Sequence, residues 1–395
     1  MLMKVTIRMN KPIYLDYAAA TPTDPRVIDV MVKCLTKDGY FANPHAKDHV
    51  YGWEACEIME NARSQVAELV GCSPLEITFT SGATESNNLA IFGLAKYLLS
   101  QGDRRRHIIT TKIEHKAVLE ACEELERQGY KVTYLTPHRD GTVDEELLSS
   151  VLDEDTFLVS IAQANSVLGS VNDIKKLARL TRSKGAYFHT DTAQSAGYIE
   201  TDFDHSDVSM ATLTSEKVCG PKGVGALYIK RSLDLKLYAQ IFGGGQEKGL
   251  RGGTVATHQV AGMGKAFEIL KLDGAKDKER LEGFREYLIG RLKTIKGIII
   301  NGSPSMHLPG ILSVSFNHVD GKALLPTLNG IAVSTGSACA SADLKPSYIL
   351  KAIGLSDEQA RASLRISFGR FTTKEEIKLA ADEICLKVPK LIKED

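Results

Sequence analysis

The sequence carries no net charge: 49 lysines and arginines balance 49 aspartates and glutamates. A nucleic-acid or membrane surface as main partner calls for a basic excess, and the balance argues against one, leaving room only for a local basic patch. The run Arg104-Arg105-Arg106 is short and reads as a solvated loop. No stretch of about 18 apolar residues occurs, so no transmembrane helix is expected. The first residues, Met1 to Asn10, lack the apolar centre of a secretory leader. Seven cysteines stand at 34, 56, 72, 122, 219, 339 and 385 without a Cys-x-x-Cys pair. That spacing suggests neither a zinc ribbon nor a disulfide framework; no metal is expected, and a reducing cytoplasm fits best. Internal repeats and low-complexity tracts are also lacking.

What is present is a soluble globular composition, 43% hydrophobic and 25% charged, over 395 residues. At about 150 residues per domain the chain exceeds one core, so two units are expected. Short β-rich runs alternate with helical patterns through the first two thirds. Strands are expected at 77–80, 107–111, 131–135, 157–162 and 186–190, with helices at 85–99, 116–128 and 174–184. Such βαβα order predicts an α/β fold with a mainly parallel sheet covered on both faces. Its ligand would sit at the strand C-terminal ends. From Lys265 to Ile295 a charged helical stretch follows, then shorter strands at 311–316 and 331–334. The expected division is a large domain over 12–264 and a smaller α+β domain over 265–395. The N-terminal segment could pack on either.

Six motifs carry candidate chemistry, most of them just after expected strands. Thr80-Ser81-Gly82-Ala83-Thr84-Glu85-Ser86-Asn87-Asn88 turns into a helix, where free N–H groups and the Thr84 hydroxyl make a phosphate cup; a simple helix cap is the plain alternative. Glu114-His115-Lys116 offers an imidazole that stacks on an aromatic cofactor or moves protons, or is merely an exposed histidine. In His189-Thr190-Asp191-Thr192-Ala193-Gln194, Asp191 suits a protonated pyridine nitrogen and Gln194 a ring oxygen; an N-cap or half of a metal pair are the other readings. Thr214-Ser215-Glu216-Lys217 precedes a glycine-rich run. A desolvated Lys217 amine could form a Schiff base, although most lysines are solvated. Ser334 to Asp343 places Cys339 among Gly, Ser and Ala, which reads as an accessible thiol or as an inert surface loop. Arg365 or Arg370, in Arg365-Ile366-Ser367-Phe368-Gly369-Arg370, forks a substrate carboxylate or serves a structural ion pair.

Taken together and in order, these segments resemble the cysteine desulfurases of the bacterial and mitochondrial iron–sulfur type, within the class V aminotransferases. Tyr14 to Pro22, Thr80 to Asn88, Glu114 to Leu119, Gly220 to Tyr228, Gly243 to Glu247, Ser337-Ala338-Cys339 with Pro346-Ser347-Tyr348, and Gly369 to Thr373 also carry the likeness, which runs from about Pro12 to about Leu391. The resemblance implies a fold of the pyridoxal 5'-phosphate (PLP) type I class and a homodimer. It implies Lys217 as the cofactor lysine, His115 stacked on the ring and Asp191 at its nitrogen. Gln194 and Ser166 fall near the ring oxygen, and Ala83, Thr84, Thr214 and Glu216 fall on phosphate-site positions. Thr254 would reach the neighbouring subunit's phosphate, Arg365 would take the substrate carboxylate, and Cys339 would be the nucleophile.

The implied reaction converts L-cysteine to L-alanine with a persulfide left on Cys339. The sulfur then passes to an acceptor protein, an iron–sulfur scaffold or a tRNA-thiolation relay. Two positions depart from the family pattern. Glu216 stands where a histidine is usual, setting an anion near a phosphate, and Ser166 stands where an asparagine is usual. The family's scaffold-docking extension is expected to be missing after Asp395. A divergent paralogue acting as a partner or scaffold, and a selenocysteine lyase, are the competing readings.

Overall fold

The computed structural model describes residues 11–335 and 346–392. In chain order the main elements are β1 (Ile13–Tyr14), α1 (Pro25–Lys33), α2 (Val50–Val70), β2 (Ile77–Thr80), α3 (Ala83–Ser100), β3 (His107–Thr111), α4 (Lys116–Arg127) and β4 (Lys131–Leu135). There follow α5 (Glu145–Ser149), β5 (Thr156–Ser160), α6 (Ile174–Ser183), β6 (Tyr187–Asp191), β7 (Met210–Thr214), β8 (Gly225–Ile229) and α7 (Thr257–Leu292). The C-terminal part holds β9 (Ile298–Asn301), β10 (Ile311–Phe316), α8 (Gly321–Thr327), β11 (Ile331–Ala332), α9 (Tyr348–Ala352), α10 (Asp357–Arg361), β12 (Ser363–Ser367) and α11 (Lys374–Lys387).

The central sheet has seven strands in the order β2-β8-β7-β6-β5-β3-β4. Strands β7, β6, β5, β3 and β4 pair in parallel, while β8 runs antiparallel to both β7 and β2. All strands but β8 therefore point the same way, as the βα alternation requires, and their C-terminal ends share one edge. Adjacent residues feed opposite faces. Ile108, Leu158, Met210 and Leu227 join α3 and α4 in one apolar layer. Their neighbours Ile109, Val159, Ala211 and Tyr228 join α2, α6 and the first half of α7 in the other. At about 1.5–3 kcal/mol per fully buried large apolar side chain, these two layers supply most of the drive to fold.

The second apolar centre joins Leu281, Phe284, Leu288 and Leu292 of α7 to β10, β12 and α11. Its sheet has the antiparallel order β12-β10-β9. Helix α7 begins at Thr257 and runs unbroken past the division expected after Gly264. Glycine in a helical pattern usually signals a break, but Gly264 here marks close packing. A Cβ on it would lie 2.5 Å from Cα of Ala62 in α2. The N-terminal segment joins the C-terminal part: β1 pairs in parallel with β11, and Asp16 bridges to Ser367.

Candidate active site

The strand C-terminal edge opens onto a cavity of about 580 Å³. Its walls come from five strand ends: Ser81 to Glu85 after β2, Ile113 to Lys116 after β3, Ala162 to Val167 after β5, Asp191 to Gln194 at β6, and Thr214 to Lys217 at β7. Pro346 to Ile349 and Arg365 close it from the C-terminal part. Ten residues expected in the site line it together: Ala83, Thr84, His115, Ser166, Asp191, Gln194, Thr214, Glu216, Lys217 and Arg365. Thr254 does not; it is exposed in the loop before α7. Cys339 lies outside the described residues.

At one end, α3 starts without a side-chain cap, because its N-cap is Gly82 at φ 147°, a conformation that demands glycine. Strand β8 begins against this turn at Gly225, where a Cβ would meet Cα of Gly82 at 2.8 Å. The N–H groups of the first helical turn thus have no capping side chain, which is the chemistry a phosphate group requires. Glu85 lies close by. Its carboxylate accepts from Ser81 N at 2.8 Å and pairs with Arg251 at 3.1 Å, which compensates its charge.

Lys217 sits in the turn after β7. The Thr21 hydroxyl clamps that turn, donating to Glu216 O at 2.7 Å and accepting from Cys219 N at 3.0 Å. Cys219 is held there at φ 61°, an uncommon conformation for a residue with a side chain. The Lys217 ammonium reaches Ala19 O at 2.5 Å and the Glu216 carboxylate at 3.1 Å. Glu216 therefore turns toward the lysine, where its charge is paired.

Asp191, 8% exposed, ends β6 on the cavity wall. One of its oxygens accepts from Ala193 N at 2.9 Å and the other from Asn87 Nδ2 at 2.8 Å. Two residues back, His189 is fully buried between Ser160 and Thr212, and burial holds its imidazole neutral by lowering its pKa to about 3. His189 thus has no access to a metal partnership with Asp191, and no cluster of metal-ligating side chains occurs among the described residues. His115 caps α4, its Nδ1 accepting from Ala117 N at 3.1 Å, which leaves Nε2 as the protonated nitrogen of the neutral ring.

Glu114 beside it is buried, and desolvation pushes its carboxyl up to about 8, with the Asp191 charge adding to the rise. Thr111 Oγ1 and Ala162 N hold it at 2.7 and 3.1 Å. Gln194 is fixed by the Ala18 carbonyl at 3.0 Å. Arg365 on β12 pairs with Asp16 at 2.8 Å and donates to Ser166 O at 3.1 Å, while its buried Nε has no partner among the described residues. Arg370 is occupied elsewhere, between Asp24 and Asp277 at 3.2 and 2.9 Å. Of the two candidate arginines, only Arg365 faces the cavity.

A basic side chain, a carboxylate on the wall, an imidazole and an uncapped helix start around one cavity fit PLP: a lysine for its aldehyde, a carboxylate for its ring nitrogen and N–H groups for its phosphate.

Residues 13–379 match the aminotransferase class-V family model. Curated relatives include the cysteine desulfurase IscS of Stutzerimonas stutzeri, 49% identical over 97% of this chain and 94% of the relative. That of Azotobacter vinelandii is also 49% identical, over the same shares. The chain belongs to the cysteine desulfurases of the class-V aminotransferase family. Among solved structures, a NifS-like protein superposes with a TM-score of 0.87 at 35% identity, covering 95% of this chain and 98% of that one. SspA in complex with cysteine gives 0.81 at 37% identity, covering 91% and 100%. The α/β architecture with its mainly parallel sheet is thus the type I fold expected from the sequence.

Against that family background, four cavity contacts went unread in the sequence. Asp16 pairs with Arg365, Thr21 clamps the lysine turn, Asn87 meets Asp191, and Tyr348 donates to Glu114 O at 2.7 Å. Each stands inside a segment that carried the family likeness, but its partner is far away in the chain.

Proposed function

We propose that this chain is a PLP-dependent cysteine desulfurase that converts L-cysteine to L-alanine and leaves the sulfur as a persulfide on Cys339. The observation that carries the reading is the meeting of Lys217, Asp191 and His115 at one strand edge, opposite an arginine with a free donor. The cofactor's phosphate belongs at the start of α3, with Ala83, Thr84 and Thr214 around it. Lys217 would take its aldehyde, Asp191 would face its ring nitrogen, His115 its ring face, and Gln194 and Ser166 its ring oxygen. When bound, the cofactor supplies an electron sink for the carbanion formed at the substrate's Cα.

The residues do the rest. Arg365 fixes the substrate carboxylate through charge-assisted hydrogen bonds, which orients Cα toward Lys217. The Lys217 amine would take the Cα proton at Nζ. The Cys339 thiolate attacks the substrate sulfur; the C–S bond breaks, its electron pair returns to the three-carbon fragment, and alanine leaves after protonation. A sulfur-acceptor protein, either an iron–sulfur scaffold or a tRNA-thiolation relay, then takes the persulfide sulfur.

The working form in this reading is a cytoplasmic homodimer that contacts neither nucleic acid nor membrane; no helix among the described residues is long and apolar enough to cross one. Exposed apolar side chains such as Phe242 at 81% and Trp53 at 59% call for cover of this kind. Thr254, exposed on the loop that Arg251 anchors to Glu85, would then serve the partner's phosphate. The proposed division of labour is a large cofactor-binding unit that includes the first half of α7 and a smaller unit that holds its second half, the C-terminal elements and β1.

The test is alanine production from L-cysteine by the PLP-loaded protein and by Cys339→Ser. Alanine from the first and none from the second supports the reading. A protein that stays colourless with excess PLP supports the scaffold reading instead, and a strong preference for selenocysteine supports the lyase.

A further inference from the structure

We propose that Asn87 is a positioning residue that acts through Asp191, locking the carboxylate plane that receives the cofactor ring. The inference rests on the reading of Asp191 as the ring-nitrogen partner. Asn87 is 0% exposed, and its Nδ2 donates to Asp191 Oδ2 at 2.8 Å. The opposite carboxylate oxygen, Oδ1, takes the Ala193 N–H at 2.9 Å, within Asp191's own turn. Each oxygen is thus held from a different side, one by the local backbone and one by helix α3. Rotation of the carboxylate would break at least one of the two bonds.

The amide can face Asp191 only one way. Turned over, Asn87 would present its carbonyl oxygen to a carboxylate oxygen, two acceptors with no proton between them. The amide's own oxygen is buried without a partner among the described residues. An orphaned carbonyl is unfavourable, so the packing at this position is justified by the donor side alone.

Position 87 also has a geometric meaning. It lies four residues after Ala83 and three after Thr84, on the same face of α3 as the two residues at the uncapped start. One rigid helix therefore carries the phosphate end of the site and the donor that sets the carboxylate. Any shift of α3 moves both together, which keeps the distance between phosphate cup and the Asn87 donor constant. Asp191 shares the cavity lining with His115, Glu216 and Lys217, and its charge adds to the rise at buried Glu114.

The experiment is a double-mutant cycle read as PLP affinity, by titrating the visible absorbance of cofactor-free protein. The four forms are wild type, Asn87→Ala, Asp191→Ala and the double variant. A lost hydrogen bond to a charged group predicts about tenfold weaker PLP binding for Asn87→Ala with Asp191 present, and almost no effect with Asp191 absent. Asn87→Asp keeps the shape and sets a second carboxylate against the first, so it should weaken binding further. It serves also if Asn87→Ala does not fold. Equal losses from Asn87→Ala in both backgrounds, or wild-type affinity for Asn87→Asp, would overturn the proposal while leaving Asp191 in its role. Wild-type affinity for Asp191→Ala would instead remove that role, and the proposal with it.

Discussion

The two sides of the cavity are built on different principles. On the strand-end side, each functional group follows its strand within a few residues: Thr84 after β2, His115 after β3, Asp191 closing β6, Lys217 after β7. Local turns place them, and parallel pairing brings the turns together. On the opposite side, Arg365 stands mid-strand in β12, pairs with Asp16, 349 residues earlier, and is 3% exposed. Here it is tertiary docking of the N-terminal segment onto the C-terminal sheet that makes the site. The first side is suited to holding a cofactor without adjustment. The second can take a substrate group, because its arginine keeps a buried donor to spare.

That contrast is open to direct attack. The largest effect should come from Lys217→Ala on the strand-end side: no retained visible absorbance after desalting, and alanine production down by at least about a thousandfold. Arg365→Ala should act on the other side only. We expect KM for L-cysteine to rise about ten- to hundredfold, as loss of charge-assisted bonds predicts, with PLP affinity almost unchanged. If PLP affinity fell as much as KM rose, the division between the two sides would be lost.

Glu216→His comes next. Its carboxylate now pairs with Lys217 and sets a negative charge near the phosphate positions. Removing that charge should tighten PLP binding about tenfold; equal affinity would show that the pairing already neutralises Glu216.

The least effect on catalysis is expected from Glu114, whose change shows instead as a pH dependence of stability. Burial raises this carboxyl to about 8 from an ordinary 4.5, so the folded chain holds a proton there that the unfolded chain releases. Its neutral form contributes fully below about pH 4.5, and stability falls as pH rises toward 8. Glu114→Gln should remove that fall, so that its melting temperature gains on wild type between pH 5 and pH 8. Parallel melting curves across that window would mean Glu114 is ionised in the fold.

The same contrast explains what could be read from the sequence. The α/β class and most helices and strands from Ile77 to Asp191 were legible, because strand-like and helix-like runs alternate there with short turns; β1, α1, α2 and α5 were not read. Strands β9 and β12 and the antiparallel course of β8 were not anticipated; the direction of β8 is set by its pairing between β7 and β2, which no local pattern records. Lys217, Asp191, His115 and the start of α3 stood out because each follows a strand. Thr21 escaped notice because the backbone it clamps is 195 residues away. Asn87 did too, 104 residues from Asp191, since nothing local distinguishes a buried amide that binds a carboxylate from one that merely packs. The start of α7 was misplaced because small residues that allow helices to touch look like residues that end them.

The most direct test of the central claim is to reduce the PLP-loaded protein with borohydride and locate the label by peptide mass mapping. The account predicts a single pyridoxyl group on Lys217. A label on Lys222, or one spread over exposed lysines with Lys217 unmodified, would contradict it.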